Sequence, residues 1–241
     1  MPHWFGAYLF KIIVMDNSKK CVNDGKLIGL RISSVIIFAI AMGILEAICV
    51  VYIRRIIFPT DGNITNVPIT DFNFTIEAIR EAMTIIMLTT VSILSAYNVR
   101  TRLAMFFLAF GTWDILYYVG LRIFLQWPVS IMDWDTLFLI PVAWYSPVIV
   151  PVLISIYFIF GSIFIILHEG NGIKLKFSIS VVLLQFSAFI VWYYSFVKNS
   201  AMISETGYAN AEYSWVLFFL GLVLGVGSLT LSFLFGQKTD T

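Results

Sequence analysis

The sequence predicts an all-α polytopic membrane bundle of about six transmembrane helices. Three observations carry that class. The 241-residue chain is 60% hydrophobic and 12% charged, where a soluble domain carries roughly 25% charged residues. Its mean hydropathy is +0.92. Apolar runs of about 20 residues recur, and each can cross a hydrocarbon core about 30 Å thick. A transmembrane β-barrel would alternate apolar and polar residues, so that class is excluded. The expected partner is the lipid bilayer. A net charge of +1 supplies no basic footprint for nucleic acid.

Residues 1–26 read as an N-terminal interfacial segment. Residues 1–14 lack the basic start and small-residue cleavage site of a signal peptide. They are too short to span and carry Trp4, Phe5 and Phe10 for the interface. Residues 27–236 then form the membrane domain, followed by a short tail at 237–241. The first span runs about Leu27–Ile53. Ala39, Gly43 and Ala47 repeat at i+4, a small-residue seam that lets another helix approach. Glu46 borders that seam and is expected to face the bundle. A polar loop at 59–75 carries the acceptor sequons Asn63-Ile-Thr65 and Asn73-Phe-Thr75.

The second span, about Ile76–Tyr97, sets Glu77, Arg80, Glu81, Thr84, Ser92 and Ser95 on one helical stripe. The third, about Leu103–Leu125, puts Asp114, Tyr118 and Arg122 on one face at i, i+4 and i+8. Trp127-Pro128 ends it. The apolar stretch from Thr136 to Leu167 would reach about 48 Å as one helix, too long for a straight span. Pro141 and Pro147 are expected to break it. The segment Thr136–Ala143 then reads as a short interfacial or re-entrant helix, and Pro147–Leu167 as the fourth span. The fifth span is about Phe177–Phe196 and the sixth about Tyr213–Phe235. Gly221 and Gly225 in the last form a GxxxG pair, for packing inside the bundle or against a second copy as a homo-oligomer. No internal repeat supports an inverted-repeat transporter.

Six spans put both termini on one side. Lys11, Lys19, Lys20, Lys26, Arg31, Arg100, Arg102, Lys174, Lys176 and Lys238 fall on that side, against Arg54, Arg55, Arg80, Arg122 and Lys198 on the other. That bias predicts cytoplasmic termini in a plasma membrane, with the sequon loop outside.

Charged residues at membrane depth mark a site. Measured along their helices at 1.5 Å per residue, Glu46, Glu81 and Asp114 all reach the outer half of the bilayer, on three different helices. Glu77, Arg80, Tyr118, Arg122 and Asp135 lie at or above that level and complete the candidate ion- or solute-binding set. Asp133 and Asp135 also read as caps, Asp135 for a helix starting at Thr136. Tyr117, Tyr118, Trp127, Trp134 and Trp144 read as an interfacial aromatic belt. The stretch Gly111–Pro151 supplies Asp114 as one wall of the site and the proline segment as its lid.

Carboxylates without His or Cys suit a hard divalent cation such as Mg²⁺ or Mn²⁺, with Glu46, Glu81 and Asp114 as ligands. The only histidines, His3 and His168, lie away from this set, and Cys21 and Cys49 have no metal spacing. No catalytic Ser/His/Asp set, HExxH or glycine-rich phosphate loop is present. Three functional readings follow: binding or transport of an ion or small polar solute; a metal-dependent enzyme acting on lipid-linked or headgroup substrates; and a non-catalytic structural subunit.

Several motifs also carry a resemblance. They are Glu46-Ala47, Arg80-Glu81-Ala82, Phe110-Gly111-x-Trp113-Asp114, Tyr117-Tyr118, Trp127-Pro128, Trp134-Asp135 and Pro147-Val148-x-x-Pro151. From about Gly43 to Ser155 the chain resembles a group of uncharacterised prokaryotic multipass membrane proteins. The resemblance implies a shared pattern of residues and no activity.

Overall fold

A computed structural model describes residues 3–57, 71–170, 173–235 and 237–238, with side chains at 26–53, 75–170 and 175–235. The elements in order are α1 (His3–Ile57), α2 (Asp71–Ser95), α3 (Val99–Leu125), β1 (Trp134–Phe138), β2 (Trp144–Pro147), α4 (Ile149–Gly170), β3 (Ile173–Lys174), α5 (Ile179–Val197), α6 (Ser200–Thr206), α7 (Trp215–Leu234) and β4 (Gln237–Lys238). Among the described residues six helical segments are long and apolar enough to cross a membrane: Lys26–Ile53, Thr75–Ser95, Val99–Leu125, Ile149–Gly170, Ile179–Thr206 and Trp215–Leu234. The all-α six-span class therefore holds. Residues 3–26 continue the first span as one helix. Asn63 and the side chain of Asn73 lie outside the described residues.

The distribution of polarity fits a lipid-facing exterior. Ile37, Leu94, Phe160 and Val216 are exposed, while Thr84, Ser92, Ser155, Ser162, Ser195 and Ser228 are buried. In hydrocarbon the apolar side chains can stay outside, and helix contact is left to small residues and hydrogen bonds. The seam on α1 does this work. A Cβ on Gly43 would sit 2.5 Å from the Trp113 carbonyl oxygen, and one on Gly120 of α3 would sit 2.6 Å from the Ala47 Cβ. Gly111 brings α3 equally close to α4, at the Ser155 carbonyl.

The closest helix pairs are α1–α3, α3–α4, α5–α7 and α2–α3. One core joins α1 to α4 through Val35, Ala39, Leu88, Met105, Leu108 and Ile166. A second joins α4, α5 and α7 through Ile154, Phe158, Trp192, Phe196 and Phe218. Between α4 and α5 the contact is largely aromatic, with Tyr157 and Trp192 centroids 5.6 Å apart. The Gly221/Gly225 face, considered for a homo-oligomer, is occupied from within. Trp192 and Tyr157 lie against it, and Trp192 Nε1 donates to the Phe218 carbonyl at 3.1 Å.

The proline segment before the fourth span is not helical. Thr136–Ala143, expected as a short interfacial or re-entrant helix, belongs to a hairpin. β1 pairs antiparallel with β2 in the register Trp134–Pro147, Asp135–Ser146, Thr136–Tyr145 and Phe138–Trp144, with a register shift between Thr136 and Phe138. The physical reason lies in side-chain type. Trp, Thr, Phe and Tyr favour strands, and Pro141 is excluded from a helix interior but fits the connection between the strands. The hairpin is anchored below by Val148 N donating to Asp133 O (2.9 Å) and Ile149 N to Ile131 O (2.8 Å).

Candidate functional site

The hairpin roofs a cavity of about 940 Å³ whose walls come from α1 to α6. Glu46, Glu77, Arg80, Glu81, Asp114, Tyr118 and Asp135 all line it. Sequence spacing thus brought seven of the eight candidate residues to one place. Arg122 is the exception. It is exposed at the end of α3 and donates to the carbonyls of Gln126 (2.6 Å) and Pro128 (3.0 Å). It closes the helix terminus, a favourable place for a cation near free carbonyls.

The charged residues divide into two groups. In the first, Arg80 on α2 forms an ion pair with Glu46 on α1, and its Nε also donates to Glu77 at 2.8 Å. Thr84, one turn along α2, donates to Glu46 at 3.0 Å. This stripe joins α1 to α2. In the second, three acids accept hydrogen bonds from uncharged donors, and Glu81 is also attracted by Arg80, its neighbour on α2. Leu139 N in the hairpin donates to Glu81 Oε2 at 2.9 Å, Ser155 Oγ on α4 donates to Asp114 Oδ2 at 2.8 Å, and Tyr118 OH donates to Asp135 Oδ2 at 3.0 Å. All three acids are buried.

Two expectations are corrected here. Glu46, Glu81 and Asp114 share the cavity but do not converge as metal ligands; among the described residues no group of three His, Cys, Asp or Glu does. Each acid is turned instead to its own donor on a different element. Asp135 does not N-cap a helix, because no helix follows it; it lies in β1 and meets Tyr118. Asp133 does act as a cap, accepting from Val129 N (2.7 Å) and Ser130 N (3.1 Å) in the turn before β1.

The aromatic residues expected as an interfacial belt also turn inward. Tyr117, Tyr118, Trp127, Trp134 and Trp144 all line the cavity. Trp113 and Trp144 carry indole N–H groups that are buried without an acceptor among the described residues. Such groups are uncommon in a fully satisfied interior. Sequence reasoning missed Ser155 and the wall formed by Phe158, Phe189 and Trp192. Ser155 could have been noticed as an isolated hydroxyl on the otherwise apolar start of α4. The aromatic wall offers no such signal, since Phe and Trp are as common on a lipid-facing surface.

Chemically the cavity is a low-dielectric chamber with several carboxylates, many aromatic faces and, among the described residues, one guanidinium, which pairs with Glu46 and Glu77 and attracts Glu81. It can hold positive charge by ion pairing and by cation–π contact. No family model, curated protein or solved structure matches this chain, so the cavity's own geometry carries the functional reading.

Proposed function

We propose that this chain binds an ion or small polar solute and passes it across a plasma membrane, and that the solute is an organic cation. One observation carries the reading. Among the described residues five carboxylates line the cavity against a single guanidinium, Arg80. Arg80 with Glu46 and Glu77 is the structural part, tying α1 to α2. Glu81, Asp114 and Asp135 are the binding part. Each accepts a hydrogen bond from the protein, and a carboxylate has room for about four.

The size of the chamber favours an organic ion over a bare metal. At about 940 Å³ it falls near the upper end of ordinary ligand pockets, roughly 300–1,000 Å³. The separation of Glu46, Glu81 and Asp114 onto different donors points the same way. The positive-charge bias supports cytoplasmic termini, with the hairpin outside.

The test is ligand binding by purified protein in lipid nanodiscs. Butylammonium is expected to raise the unfolding temperature, and its neutral counterpart butanol is not. A ligand at one hundred times its Kd adds about 2.7 kcal/mol of stability. Asp114→Asn and Glu81→Gln should each weaken the effect tenfold or more, and uptake into proteoliposomes should fall with it. Equal response to butylammonium and butanol, or full response in both variants, sinks the proposal.

A further inference from the structure

The cavity has two chemically different ends. Toward the hairpin stand Glu81, Asp114 and Asp135. Along α3, Phe110, Phe107 and Phe106 follow Asp114 toward the opposite face of the membrane. At 1.5 Å per residue they lie about 6, 10 and 12 Å deeper. The deep lining adds Phe158 and Phe189. Phe107 stacks on Phe189 with centroids 5.6 Å apart and meets Phe158 at 4.8 Å. This end is apolar.

The deep end also reaches the outside of the bundle. Ile190 lines the cavity, yet it is 51% exposed. It belongs to a stripe of exposed residues on α5 with Leu183, Phe186 and Tyr194, at helical spacing and in mid-span. That stripe is the face turned to hydrocarbon. The hairpin is tied to α6 and to the segment after it. Ser200 Oγ donates to the Ala143 carbonyl at 2.8 Å, and the Thr136 and Tyr208 hydroxyls meet at 3.0 Å.

We infer that the occupant is a single-chain cationic amphiphile that enters sideways from the bilayer past Ile190. Its ammonium head pairs with Glu81, Asp114 and Asp135, and its hydrocarbon chain lies along Phe107, Phe158 and Phe189. This rests on the cation reading above and adds the chain and the route. A chain already in lipid exchanges one apolar environment for another, so it needs little driving force. The head adds positive charge beside buried carboxylates. An amphiphile held in the bilayer meets the cavity where Ile190 is exposed.

The experiment uses full-length protein in phosphatidylcholine vesicles and hexadecylammonium carrying a diazirine in mid-chain. After illumination, labelled residues are mapped by mass spectrometry. Labelling is expected at Phe158, Phe189 or Ile190. Excess unlabelled hexadecylammonium should reduce it at least fivefold, and hexadecanol should not. Asp114→Asn should abolish it. Ile190→Trp, on the lipid-facing surface, should slow it tenfold by narrowing the opening. Labelling spread over all lipid-facing helices and not competed overturns the inference, as does an Ile190→Trp variant labelled at the native rate. If butylammonium binds while chain labelling is uncompeted, this inference alone falls. If neither amine binds, the cation reading falls and takes this one with it.

Discussion

Replacing Arg80 by Met separates the structural part of the cavity from the binding part. Arg80 is 24% exposed and its partner Glu46 only 8%. Removing the guanidinium leaves the Glu46 carboxylate buried with Thr84 as its remaining hydrogen-bond donor. Breaking a buried pair from one side costs about 3–5 kcal/mol. The Glu77 contact adds little, because that carboxylate is 22% exposed and sits one turn away on the same helix; such pairs are worth under about 1 kcal/mol. The expected loss is therefore about 3–5 kcal/mol, nearly all of it from stranding Glu46. A second substitution, Glu46→Met, removes the stranded charge and should restore more than half of that loss. Reversible unfolding in mixed micelles, followed by tryptophan fluorescence, measures both. A loss below about 1 kcal/mol for Arg80→Met, or no recovery in the double variant, refutes the view that this pair joins α1 to α2.

Three further outcomes are expected. Gly43→Val should destabilise by about 1–3 kcal/mol, because its Cβ would meet the backbone carbonyl of Trp113, whereas Gly29→Val, with nothing within 4 Å, should stay within about 0.5 kcal/mol in the same unfolding assay. Ser155→Ala should lower stability by about 1.5–3 kcal/mol, the range for a hydrogen bond to a charged group, since Ser155 donates to the buried Asp114; thermal melts in nanodiscs check this. A reporter fused after Thr241 should read cytoplasmic, and an extracytoplasmic signal would reverse the assigned orientation.

Helix periodicity made the bundle and most of its polar interior legible. The α2 stripe predicted that Glu77, Arg80, Glu81 and Thr84 would share a face, and all four line the cavity. The α1 seam predicted the close approach at Gly43 and the inward position of Glu46. What periodicity does not encode is which donor an acid meets. Leu139 N reaches Glu81 only because the segment after α3 is a hairpin, and a short apolar run beside proline reads equally as broken helix or strand. Arg122 shares the spacing of Asp114 and Tyr118 but lies past the last turn that faces the cavity. There the nearest unsatisfied groups are backbone carbonyls.

The pairing of α5 with α7 has a consequence for how the protein is made. Helices α1 to α4 emerge from the ribosome first, and they already hold the acids together with Arg80, Thr84, Ser155 and the hairpin. α5 brings Phe189, Ile190 and Trp192, the far wall of the chamber, and α7 packs on α5. The far wall of the chamber is therefore synthesised after the segments that carry the acids.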